Sequence, residues 1–132
     1  MAYANENHRV LAEAVAQWLI ADGLKFGTDE ERDPTAFFIL ESRGAVFVEA
    51  INDAVLIACK WLLLQDAPPA IELYEWALRQ NTGLLVGRIT LDQSGLWFSD
   101  LLLPPTTHER FSFHVGRGIS DVLRLRTELG VT

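Results

Sequence analysis

Three apolar runs follow one another in the middle of the chain, and this arrangement constrains the fold more than any other feature of the sequence. The runs cover Thr35–Glu41, Ala45–Ala50 and Ala54–Leu62, and Phe, Ile, Val, Leu and Ala dominate them. The turn-forming segments Ser42–Gly44 and Asn52–Asp53 separate the runs at the spacing of β-hairpins. Aromatic and β-branched residues favour strands. The pattern therefore predicts a three-stranded antiparallel meander.

The third run permits a second interpretation. Leu, Ala and Lys are good helix formers, so Ala54–Gln65 could also be helical. We predict a strand because two tight turns precede this run and a stronger helix pattern follows it. That pattern covers residues 68–80, with Pro68 and Pro69 in the first turn, where proline is tolerated because the N–H groups there have no partner within the helix.

Two further helices are predicted near the ends of the chain. Apolar residues recur with helical spacing over residues 7–22 and 106–129. Gly116 and Gly118 lie inside the last helix, where glycine is unfavourable. Their presence indicates close packing against another element or a bend.

Two more strands complete the predicted sheet. They cover residues 84–91 and 96–103, whereas the acidic segment Thr28–Pro34 is predicted to be a solvated loop. The predicted fold class is α+β, in the order α-β-β-β-α-β-β-α. Its five-stranded, largely antiparallel sheet is packed with helices.

The length and the charge of the chain exclude several classes of protein. A chain of 132 residues predicts a single domain over residues 1–132. The 11 Lys and Arg against 18 Asp and Glu give a net charge of −7, which argues against nucleic acid and anionic membranes as partners. The longest apolar stretch, Ala54–Leu64, is too short to span a bilayer and contains Lys60. Because the N-terminus lacks a signal-peptide pattern, we expect a cytoplasmic protein.

Residue types that carry catalysis or bind metals form no recognisable motif. The three histidines, His8, His108 and His114, lack the spacing of a ligand pair. Cys59 lies in the most apolar run and is interpreted as a small buried hydrophobe. Ser94 lies in a turn without the Gly-x-Ser-x-Gly of a nucleophile elbow. We therefore expect no enzyme activity, no metal site and no cofactor.

Charges within the predicted strands indicate which face of the sheet points outwards. Alternate side chains point to opposite faces, so Glu41, Glu49 and Lys60 mark the outer face. Four apolar side chains are predicted to share that face and to bind a partner: Phe37, Ile39, Phe47 and Leu56. The other face is predicted to form the core, with Phe38, Leu40, Val46, Val48, Val55, Ile57, Cys59, Trp61, Leu85, Ile89 and Leu91.

An apolar outer face of this size requires cover. We expect a partner protein or a second copy of the chain, and a symmetric homodimer is the commonest arrangement for a soluble protein. If the helices were divided between both faces, the four residues would be ordinary core.

Several segments resemble the type III secretion chaperone-like fold, which secretion chaperones of the Tir-chaperone type share with YbjN-like proteins. Leu78-Arg79-Gln80-Asn81 is similar to the Leu-x-x-Asn that ends the middle helix of this family. Gly87 followed by Leu91-Asp92-Gln93-Ser94-Gly95 is similar to its strand-turn-strand, in which Leu-Asp-x-x-Gly forms the hairpin. Leu103-Pro104 and the helix from Thr106 through Asp121 resemble its closing segment.

The resemblance implies a small acidic α+β protein, often a homodimer, with no catalytic residues. Secretion chaperones hold an extended client segment on apolar patches and sheet edges, whereas YbjN-like members are described as regulatory or of unknown role. We therefore predict a non-enzymatic module that binds a partner protein through an apolar sheet face. Two alternatives stay open. One is a profilin-like small-ligand sensor or regulatory domain with a pocket between sheet and helices, and the other is a subunit that is stable only within a larger assembly.

Overall fold

The computed structural model describes residues 3–29 and 31–131 of the chain. In chain order its elements are α1 (Glu6–Ala21), β1 (Phe26–Asp29), β2 (Asp33–Ile39), β3 (Gly44–Ile51), β4 (Ala54–Gln65), α2 (Ile71–Asn81), β5 (Arg88–Asp92), β6 (Gly95–Leu102) and α3 (His108–Glu128). The predicted α+β class with an antiparallel sheet is confirmed. The described helices include none that is long and apolar enough to cross a membrane.

The strands form one six-stranded antiparallel sheet in the order β1-β2-β3-β4-β6-β5. The predicted meander is confirmed as β2, β3 and β4, and Ala54–Gln65 is a strand and not a helix. After β4, α2 leads the chain to the edge strand β5. The chain then returns through β6, which pairs with both β5 and β4. This crossover places β6 between β4 and the edge strand β5, and β3 and β4 lie at the centre of the sheet.

Two predicted boundaries are wrong near the sheet edges. The loop predicted over Thr28–Pro34 lies across the end of β1 and the start of β2, so the sheet has one strand more than predicted. β1 has four residues, too few for an alternating pattern to be recognised. The strand predicted over residues 84–91 begins only at Arg88. Gly87 has a φ of 67°, which interrupts the extended conformation before it.

The helices pack on one side of the sheet, which we call the core face. α1 contacts β2, β3 and β4, whereas α3 contacts β4 and β6 and α2 contacts β5. Buried side chains of α1, α3 and the strands form one continuous cluster, and three side chains of α2 pack against it. Trp61 of β4, Phe98 of β6 and Phe111 of α3 are fully buried in this cluster. None of the described helices covers the opposite side, which we call the open face.

The register of β2 shows that its side chains are oriented opposite to the prediction. Phe37 pairs with Val46 and Ile39 pairs with Gly44, and Phe37 and Ile39 are 2% and 1% exposed within the core cluster. The prediction that these two side chains point outwards is therefore wrong. Glu41 gives no information about β2 because the strand ends at Ile39 and Glu41 lies in the following turn.

Four residues predicted to lie in the core are exposed. Phe38 and Leu40 lie in and just after β2, where the side chains face opposite to the prediction. Leu85 precedes β5, and Leu91 lies on that edge strand. The predicted core of β3 and β4 is confirmed by the burial of Val46, Val48, Ile57, Cys59 and Trp61.

Candidate functional site

The open face carries apolar side chains on its central strands. The register places Phe38, Ala45 and Lys60 side by side across β2, β3 and β4. Phe38 is 43% exposed, and Leu101 at the other end of the face is 52% exposed. Large apolar side chains exposed on one sheet face are typical of an interaction site.

The predicted partner-binding residues divide between the two faces. Phe47 lies half-buried on the open face. Leu56 also lies on this face but is only 7% exposed, so it forms part of the floor and offers little contact surface. Phe37 and Ile39 belong to the core. Phe38 takes the place that the sequence pattern assigned to Phe37.

The open face leads into a groove of about 810 Å³ at the end of the sheet where β2 turns into β3. We call it the open-face groove. Its floor comes from strand side chains, and the turn after β2, the end of β4 and the C-terminal part of the chain bound it. The lining comprises Phe38, Ile39, Leu40, Arg43, Gly44, Ala45, Phe47, Lys60, Leu62, Leu63, Leu64, Gln65, Trp97, Arg126 and Val131, so the core residue Ile39 also reaches the groove.

Trp97 is held in the groove by the turn between β5 and β6. Its Nε1 donates to Ser94 Oγ at 3.0 Å and to Asp92 Oδ1 at 3.2 Å. Hydrogen bonds to Asp92 lower the pKa of its carboxyl, first those from the Ser94 hydroxyl and backbone N–H, then those from Trp97 and Gly95. On the opposite side, Lys60 Nζ lies 5.2 Å from the centre of the Trp97 ring. The Trp97 ring, which we call the aromatic wall of the groove, is therefore already held in place in the free chain.

Arg126 ties the end of α3 to the groove. Its Nε and Nη2 donate to Leu62 O at 3.0 and 2.7 Å, and its Nη1 donates to Ser42 O at 2.8 Å. Burial and then the charge of Arg43 lower the pKa of Arg126. The two guanidinium groups therefore repel each other at this end of the groove.

The charge of the groove is opposite to that of the chain. Arg43, Lys60 and Arg126 line it, and no described Asp or Glu does, although the net charge of the chain is −7. None of these three cations belongs to the ion pairs found within residues 3–29 and 31–131. Glu41 lines a neighbouring cleft with Arg43 and Arg126 but is ion-paired with neither. Among the described residues, the groove thus combines an apolar floor with three cations that pair with no described carboxylate.

Comparison with known proteins finds a similar structure but no matching sequence family. No family model matches the chain, and no curated protein sequence matches it. Among solved structures, the crystal structure of YbjN from E. coli, a candidate transcription regulator, is similar with a TM-score of 0.63 and 18% sequence identity. The similarity covers 89% of this chain and 90% of that chain. This chain has the YbjN-like fold. The fold resemblance predicted from the sequence is thereby confirmed.

In this YbjN-like fold, Asn81 at the end of α2 covers a sheet edge. Its Oδ1 accepts from Ile89 N at 2.6 Å and its Nδ2 donates to Ile89 O at 3.2 Å. The side-chain amide thus occupies the position of a neighbouring strand beside β5. A covered edge cannot pair with another strand at this point.

Steric contacts explain why glycine occupies the two positions, 87 and 95, that resemble the family's strand-turn-strand. Gly87 has a positive φ, and a Cβ there would lie 2.8 Å from Ser99 O. A Cβ on Gly95, which has a φ of 149°, would lie 2.4 Å from Leu64 O. Gly87 lets the chain before β5 approach β6 closely, and Gly95 lets the hairpin turn approach β4, so these parts of the motif are structural.

On the core face of the YbjN-like fold, Asp100 lies beside a cysteine of β4 and contacts a histidine of α3. Cys59 pairs with Asp100 across β4 and β6, and Asp100 Oδ2 lies 2.7 Å from His114 Nδ1. Burial and then the charge of Asp100 raise the pKa of the Cys59 thiol, which disfavours the nucleophilic thiolate. The contact between Asp100 and His114 joins β6 to α3. In the part of the chain that the structure describes, no group of three or more His, Cys, Asp or Glu could hold a metal ion.

Proposed function

We propose that this protein is a non-enzymatic module that binds a partner protein through the open face of its sheet. The observation that carries the proposal is the apolar surface around Phe38, Phe47 and Trp97, which no described helix covers. Complete burial of a large apolar side chain contributes about 1.5–3 kcal/mol before the cost of association is subtracted. A partner that covers this surface would therefore gain substantial binding free energy.

The packing of the molecule favours a protein partner over a small ligand between sheet and helices. Trp61, Phe98 and Phe111 fill the space between these two layers and are 0% exposed. The open-face groove lies on the other side of the sheet and is open to solvent. An open apolar surface suits a macromolecule, whereas small ligands are usually enclosed.

YbjN is described as a candidate transcription regulator. Such a role is compatible with our proposal if the regulator acts by binding another protein and not by binding DNA. The net charge of −7 opposes direct binding of nucleic acid or of an anionic membrane. We therefore propose that neither is a partner of this chain. As a separate proposal, we place the protein in the cytoplasm.

A second copy of the chain is another partner that the open face would accept. The face would then cover itself about a two-fold axis, which is the commonest symmetry of soluble oligomers. Such a homodimer would compete with a partner protein for Phe38 and Phe47. Binding of a partner would in that case separate the two copies.

The proposal is tested by titrating isotope-labelled protein with a neutral amphipathic peptide, with leucine at helical i, i+3, i+4 and i+7 positions and glutamine elsewhere. We expect NMR shifts at Phe38, Phe47 and the indole of Trp97, and we expect Phe38→Asp to abolish them. Phe113→Asp is the matched control because Phe113 is also exposed, at 57%, but lies on α3. Shifts on α1 and α3 only, or no shifts at millimolar peptide, would contradict the proposal.

A further inference from the structure

We infer that the segment bound in the open-face groove is an acidic amphipathic helix of a partner protein. Its apolar side would cover Phe38, Phe47 and Trp97, and its carboxylates would meet Lys60 and Arg43. This inference rests on the proposed function and names the chemistry of the partner.

The backbone of the groove floor favours a helix over an added strand. β2, β3, β4 and β6 each have hydrogen-bonded strands on both sides. Their N–H and C=O groups are therefore occupied, and a strand lying on the floor would find no backbone partner. A segment that binds there must satisfy its own backbone, as an amphipathic helix in an apolar groove does.

The charges of the groove favour acidic side chains on that helix. Arg43, Lys60 and Arg126 are the charged residues in the described lining, and a segment with carboxylates would reduce the repulsion between Arg43 and Arg126. Lys60 pairs with Ala45, and Arg43 lies two residues before Ala45 in the turn after β2, so both cations lie at the same end of the groove. Carboxylates one helical turn apart, about 5.4 Å along the axis, would present two acceptors to these cations.

The aromatic wall supplies the apolar half of this recognition. Trp97 is fixed by Ser94 and Asp92, and Lys60 lies over its ring. Little side-chain ordering is needed there when the partner binds, which lowers the cost of association. Trp97 and Lys60 thus offer an apolar surface and a positive charge side by side to an acidic amphipathic helix.

The inference is tested by fluorescence anisotropy with three labelled peptides that share the same leucine positions and carry glutamate, glutamine or lysine elsewhere. We expect the glutamate peptide to bind about tenfold more tightly than the lysine peptide at low salt. The difference should shrink at higher ionic strength, where the screening length falls below about 8 Å. Lys60→Glu should reduce or reverse the preference. Arg88→Glu, an exposed residue of the same face outside the groove, is the matched control and should preserve it.

The outcomes separate the inference from the proposed function. Equal affinity for the three peptides, or a preference that Lys60→Glu does not change, would overturn the inference and leave protein binding intact. Failure of all three peptides to bind a monomeric protein would overturn both. Binding of dodecanoate where the peptides fail would assign the groove to a small anionic amphiphile. A dimer that closes the groove and excludes all peptides would assign it to a second copy, and either result would also overturn the inference.

Discussion

At the scale of single residues, the packing around Trp61 connects the sheet with α3. The indole is fully buried, and its Nε1 donates to Ser42 Oγ at 2.9 Å. A Cβ on Gly44 would lie 2.1 Å from this Nε1, and a Cβ on Gly118 would lie 2.8 Å from Trp61 Cη2. The ring therefore requires a glycine on β3 and another on α3. The sequence pattern indicates that glycine is unusual at both positions 116 and 118 of the helix. Only the structure shows that Gly118 contacts Trp61 and that Gly116 does not.

We predict opposite effects of alanine at these two helix positions. Nothing lies within 4 Å of a Cβ on Gly116, so Gly116→Ala should raise the free energy of unfolding by up to about 1 kcal/mol through helix propensity. Gly118→Ala gains the same propensity but overlaps Trp61, and overpacking of a core typically costs about 1–3 kcal/mol. Urea denaturation should therefore show a less stable Gly118→Ala protein. Equal stabilisation by both substitutions would contradict this account of the Trp61 contact.

A second prediction at this scale concerns Asp92. Its hydrogen bonds lower the pKa of the folded-state carboxyl below the value of about 3.9 in an unfolded chain. The stabilisation is therefore fully present above about pH 4 and is lost as the pH falls through the lower folded pKa. The stability difference between the unmodified protein and Asp92→Asn should shrink between pH 5 and pH 3 in urea denaturation. A difference that stays constant over this range would show that the charge of Asp92 does not matter.

At the scale of elements, the long periodic segments could be predicted and the short or interrupted ones could not. α1 and α3 begin and end within two residues of the predicted helices 7–22 and 106–129. α2 begins later than predicted because Ala70 is its N-cap, so Pro68 and Pro69 precede the helix. β1 has too few residues for a pattern, and its place in the sheet depends on pairing with β2.

The candidate site could be predicted only in part, for a reason that also lies at this scale. Alternation within β3 and β4 is long enough to place Phe47 and Leu56 correctly on the open face. In β2, one misplaced strand end exchanges the two faces, because side chains alternate with a period of two. The sequence pattern consequently assigns Phe38 to the core and Phe37 to the surface. The sequence predicts an uncovered apolar face but leaves open that helices cover it, and it does not identify which β2 side chains lie on that face.

At the scale of the whole molecule, the three described helices lie on one side of the sheet, and none of them covers the side that we propose for association. We predict that the protein is a dimer at high concentration when no partner is present. Phe47→Asp should shift it towards the monomer, because a buried charge without a partner is unfavourable in an interface. Multi-angle light scattering over a concentration series measures the mass, and circular dichroism should show unchanged helix content. A monomer at all concentrations, together with unfolding of Phe47→Asp, would identify Phe47 as ordinary core.

The central claim is that the open face is accessible in the free protein and becomes covered when a partner binds. Neighbouring positions on β3 provide a matched pair, because Ala45 lies in the open-face groove and Val46 is buried in the core. The measurement is the rate at which a thiol reagent labels Ala45→Cys and Val46→Cys at low protein concentration, with and without the neutral peptide. The native Cys59 contributes little background because it is buried. We predict rapid labelling of Ala45→Cys that the peptide slows, and slow labelling of Val46→Cys that it does not accelerate. Equal rates for the two variants, or labelling of Ala45→Cys that saturating peptide leaves unchanged, would contradict the claim.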